Sequence, residues 1–168
     1  ALPATAQVNP WGPLTERDLN ATRCVYPSDE LSGEVRLDPS CYYEQSFIIN
    51  EPDTTLDCNG AELRGSDSYL INIKRDADRA KVSDCYLRGG KGIAVRARQA
   101  RGDETPDEVR ALAPEDVLIQ RVEVRGSEGV GIHLHVYTVG VTIRDSVISQ
   151  NSSSGFYLSP YGRGHVIE

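Results

Sequence analysis

Ile119 to Leu134 reads IQRVEVRGSEGVGIHL and Ile143 to Leu158 reads IRDSVISQNSSSGFYL, and the two segments align without a gap at an offset of 24 residues. Ile119 falls on Ile143, Val124 on Ile148, Gly131 on Gly155, Ile132 on Phe156 and Leu134 on Leu158. The same offset carries Gly140 to Gly164 and Ile143 to Ile167, so the terminal GHVIE opens a further repeat. Going backwards, VSDCYLRGGKGIAV (Val82 to Val95) fits with three residues fewer between Gly90 and Gly92. LDCNGAELRG (Leu56 to Gly65) fits more loosely. The polar stretch between Arg96 and Asp116 interrupts the frame and reads as a loop with a short helix.

A repeat of this length is too short for stacked helix pairs, and its Gly and β-branched residues remove the helical reading. Leucine-rich repeats share the length but need a regular Leu and Asn pattern that this sequence lacks. The remaining solution is a parallel β-solenoid, in which equivalent positions stack about 4.8 Å apart and apolar side chains form inward ladders. The expected fold is therefore all-β, a right-handed parallel β-helix with rungs of about 24 residues and an irregular N-terminal cap. The texture places the cap at residues 1–52, rich in Pro, Asp and Ser and holding Trp11, and the rungs at 53–168. Val166-Ile167-Glu168 ends inside a strand, so a further segment or second chain is expected to stack on the open rung at Glu168.

The 168 residues carry a net charge of -7, which argues against a nucleic-acid binder, whose phosphate contacts need clustered Lys and Arg. No apolar run approaches the roughly 20 residues of a membrane-spanning helix. Cys24, Cys41, Cys58 and Cys85 show no C-x-x-C spacing and read as two disulfides, hence a secreted or periplasmic location. Of the three connectivities, Cys24–Cys41 with Cys58–Cys85 is preferred, the second pair lying about one rung apart.

LDCNGAELRG, then V-x-D-C-x-L-x-G, then I-x-x-x-x-V/I repeats ending in G-I/F-x-L, resembles the right-handed parallel β-helix superfamily. That superfamily includes pectate lyases, polygalacturonases, alginate lyases and mannuronan C5-epimerases. The resemblance covers residues 53 to 168 and implies a scaffold and a polysaccharide partner. The Asp-Pro-His-Asp signature of the epimerases, the paired Asp of polygalacturonases and the Arg motif of pectate lyases do not occur, so no catalytic residue is carried over.

Stacking nonetheless puts chemistry-bearing side chains in register. His133 falls over Tyr157, His135 over Ser159 and Tyr137 over Tyr161, with Arg96 one rung before His135 and Arg163 and His165 on the next turn. Alternation around Leu134 sends His133 and His135 to one outer face. Removing the proton α to a uronate carboxylate requires that carboxylate to be neutralised, and Arg suits that task. The expectation is His133 or His135 as base, Tyr157 or Tyr161 as acid, and Arg96, Tyr137, Arg163 and His165 as substrate-binding residues. The function expected is β-elimination or epimerisation on a uronate polymer. The alternatives are a non-catalytic glycan-binding or envelope β-helix, in which the strip is plain cross-rung stacking, and a glycoside hydrolase. No cofactor is expected. Calcium would have to bridge Asp84 and Asp145, and Arg121 stands between them.

Overall fold

Short apolar triplets bounded by turn residues dictate the architecture: three residues bury one or two side chains, then the backbone bends. In a computed structural model, which describes residues 20–96 and 103–168, each rung holds three strands. The first rung comprises β1 (Thr22–Cys24), β2 (Glu30–Leu31) and β3 (Glu34–Arg36). The second is β4 (Cys41–Tyr43), β5 (Phe47–Ile49) and β6 (Thr55–Asp57), and the third β7 (Glu62–Gly65), β8 (Ile71–Ile73) and β9 (Lys81–Ser83). The fourth is β10 (Tyr86–Gly89), β11 (Ile93–Val95) and β12 (Leu118–Gln120), with the helix α1 (Pro106–Arg110) between β11 and β12. The fifth is β13 (Glu123–Arg125), β14 (Ile132–Leu134) and β15 (Thr142–Arg144), and the sixth β16 (Val147–Ser149), β17 (Phe156–Leu158) and β18 (Val166–Ile167).

Equivalent strands pair in parallel into three sheets of six, and the chain is a right-handed parallel β-helix. The first sheet runs from β1 to β16, the second from β2 to β17 and the third from β3 to β18, each taking every third strand. Register matches the repeat: Ile119 pairs with Ile143, Val124 with Ile148 and Leu134 with Leu158. Inside, Leu31, Ile49, Ile73, Val95 and Leu134 stack in one column and Val35, Leu56, Val82, Ile119 and Ile143 in another, all buried. Each such aliphatic side chain contributes about 1.5–3 kcal/mol by leaving water.

Single left-handed residues turn the corner between the third and first sheets. Asp84, Arg121 and Asp145 occupy equivalent positions there, with φ of 57°, 50° and 51°. Asp tolerates this conformation, whereas Arg121 holds it against a steric cost of about 1 kcal/mol. Its guanidinium forms two 2.8 Å bonds to Asp84. Arg121 reaches back to Asp84 and Arg144 to Gln120, each toward the preceding rung.

The rungs also begin earlier than the sequence texture places them. Strands run from Thr22, so residues 22–52 build regular coils where a cap of residues 1–52 was expected. The reason is spacing: Thr22 pairs with Cys41, Glu30 with Ile48 and Glu34 with Thr55, so these coils are shorter and no offset of 24 reveals them. Trp11 lies outside the described residues. Both disulfides join neighbouring rungs, Cys24 with Cys41 and Cys58 with Cys85.

Candidate functional site

The outer face of the second sheet carries two columns of side chains. One column runs Ile48, Asn72, Ala94, His133 and Tyr157, set by the register of β5, β8, β11, β14 and β17. The other follows the strands, where Lys74, Arg96, His135 and Ser159 each donate a backbone N–H to the rung before. Alternation about buried Leu134 makes His133 and His135 neighbours, and their rings stack with centroids 3.6 Å apart and planes 22° apart. Tyr157 meets His133 edge-on at 4.8 Å.

Sequence reasoning missed Tyr69. It precedes β8 in the third rung, yet its hydroxyl lies 2.8 Å from His133 Nδ1 in the fifth. A repeat offset of one rung could not have exposed a contact that skips a rung. On the other side of the ring, Nε2 lies 3.1 Å from Ser159 Oγ. A neutral imidazole donates from one nitrogen and accepts at the other, so these two hydroxyls satisfy His133 completely.

The electrostatics hold both imidazoles neutral. Burial first, and then Arg96, lower the pKa of His133. Burial, His133 and Arg96, in that order, push His135 down to about 4. Burial raises the pKa of Tyr69, and Arg96 opposes that rise. Arg96 thus acts on all three rings, and a guanidinium beside two neutral imidazoles suits an incoming anion. His135 Nε2 and Asn72 Oδ1 are buried without a hydrogen-bond partner.

The remaining expected site residues gather elsewhere. Tyr137 and Tyr161 stack at 5.3 Å in the turns after β14 and β17. Tyr137 also packs against Val109 and Ala113 around α1, under the guanidinium of Arg110. His165 lies against the β14–β15 turn, accepting from the Val141 N–H at 3.3 Å with its other nitrogen 3.5 Å from Thr138 Oγ1. Arg163 is exposed, and its backbone carbonyl accepts from Gly140 N–H. Their positions fit structural work at the corner, while Arg96, His133, His135 and Tyr157 share one face with Tyr69. Among the described residues, no three His, Cys, Asp or Glu are arranged to hold a metal ion.

No family model matches the chain, and no solved structure matches it significantly. It is 50% identical over 127 residues to mannuronan C5-epimerase AlgE4 of Azotobacter vinelandii, covering 76% of this chain and 17% of that protein. It is 45% identical over 56 residues to mannuronan C5-epimerase AlgE1 of the same organism, covering 33% of this chain and 4% of that protein. The chain thus spans only a small part of the length of these curated relatives. It is a right-handed parallel β-helix protein, similar over 76% of its length to a mannuronan C5-epimerase.

Proposed function

We propose that this chain acts on a uronate polysaccharide bound across the outer face of the second sheet, inverting C5 of a mannuronate unit. The observation that carries the reading is the pair of neutral imidazoles, one with an unpartnered Nε2, beside Arg96. Arg96 neutralises the sugar carboxylate, which lowers the cost of placing negative charge on it once C5 loses its proton. His135 Nε2 takes that proton. The arriving carboxylate raises the imidazole's pKa from its resting value, moving the base toward the operating pH. Tyr157, exposed at the last rung, returns a proton to the opposite face of the sugar. Similarity to proteins named as epimerases supports epimerisation over β-elimination, which shares the first step but expels the 4-oxygen.

The residues in the two outer columns support this reading over hydrolysis. Glycoside hydrolases place two carboxylates about the scissile bond, and Asn72, Lys74, Ala94, Arg96, His133, His135, Tyr157 and Ser159 include none. Two disulfides and a polysaccharide substrate suit an extracellular location. The test is proton NMR of polymannuronate incubated with the protein. Appearance of the C5 epimer supports the reading. Polymer that binds and stays unchanged identifies a glycan-binding β-helix instead.

A further inference from the structure

Tyr69 lies two rungs before the imidazoles it touches, so its ring must cross the level of the fourth rung. The residue there is Ala94, which points outward yet is fully buried. A methyl group at this position leaves room for a ring to pass over the sheet. The Tyr69 ring lies 6.3 Å from each imidazole, edge-on to His135. Beneath this arrangement His135 Nε2 is shut off from solvent with nothing to bond. A buried polar atom left unsatisfied is costly and calls for an explanation. Here the explanation is a partner that arrives from outside.

The backbone around Tyr69 is pinned, so the side chain alone has room to move. Leu70 N–H donates to Gly92 and Lys91 N–H donates to Ser68. Ser46 and Ser68 hydroxyls are 2.9 Å apart, and Asp67 N–H donates to the Glu128 carboxylate. Ser66, Asp67 and Ser68 are exposed, which leaves solvent beside the Tyr69 ring.

We propose that Tyr69 is a positioning residue that gates this site. Closed, its hydroxyl latches onto His133 Nδ1 and its ring shields His135 Nε2. When a sugar enters over Ala94, the Tyr69 side chain turns outward and a group of the sugar faces His135 Nε2. The gate rests on the reading of His135 as the base, but its test needs no turnover.

Diethyl pyrocarbonate modifies accessible neutral imidazoles, and peptide mapping by mass spectrometry gives a separate rate for each histidine. In the intact protein at neutral pH, His135 is expected to react more slowly than His165. Tyr69→Phe keeps the ring and removes the latch, so His135 should react about fivefold faster, the factor of one net hydrogen bond. Tyr69→Ala removes the shield and should accelerate His135 further, with the His165 rate unchanged as the internal control for folding. Equal His135 rates in all three proteins overturn the gate, whether or not the polymer is epimerised. The expected order of rates sustains it even if no turnover is found, in which case only the catalytic reading falls.

Discussion

His133 and His135 stack face to face at 3.6 Å because they flank the inward-facing Leu134 that ends β14. Burial of the stacked rings, reinforced by the charge of Arg96, lowers both pKa values, so the folded protein favours neutral imidazoles where an unfolded chain would protonate them. This has a measurable cost in acid.

Stability should fall with acidity through these histidines. The folded pKa of His135 is about 4 and lies below the ordinary imidazole value of 6.5, so the unfolded chain binds the proton first. The contribution is complete above pH 6.5 and is lost as the pH falls from there toward 4. Urea titrations across that window should show a slope that His135→Asn flattens. An unchanged slope in the variant would refute the assignment.

Arg96→Ala should raise the pKa of both His133 and His135, because the guanidinium charge disfavours each imidazolium. His165, whose pKa is lowered by burial alone, should not move. Histidine side-chain NMR titration reads all three in one experiment. Unmoved values for His133 and His135 would place Arg96 outside the site.

The scaffold was legible from the repeat because Ile, Val, Leu and Gly positions in the last rungs recur at one offset. The first two rungs were hidden by shorter coils with polar turns, such as the pairing of Glu30 with Ile48. At the site, strand alternation and the offset placed His133, His135, Tyr157 and Arg96 together. They also nominated Tyr137, Tyr161, Arg163 and His165, which the turns carry to a different corner. Tyr69 escaped because its side chain crosses a whole rung, a reach that depends on Ala94 being small.

Gly92→Ala should be severely destabilising, by about 3 kcal/mol or more, since strain and a backbone clash combine. Gly92 has φ of +60°, and an added Cβ would lie 1.9 Å from the Gly131 carbonyl oxygen. At Gly155 the nearest atom to an added Cβ is Ile148 Cγ2 at 3.5 Å, an ordinary contact. Gly155→Ala should therefore change stability by about 0.5 kcal/mol or less. Similar melting temperatures for the two variants would contradict the register of β11 against β14.

Replacing Cys58 and Cys85 together by Ala should cost about 2–4 kcal/mol, the usual worth of a disulfide closing a loop of this size. Both are fully buried between rungs, and Ala keeps the site apolar. Chemical denaturation of the double variant against the parent checks this. No loss of stability would mean that stacking alone holds the second and third rungs together.

The most direct test of the functional account is solvent isotope incorporation. Polymannuronate incubated with the protein in deuterium oxide should gain deuterium at C5. His135→Ala should lower the rate at least about 100-fold, the lower bound for a lost general base. Polymer that binds to the wild-type protein yet gains no deuterium at C5, or incorporation that survives His135→Ala undiminished, would contradict the account.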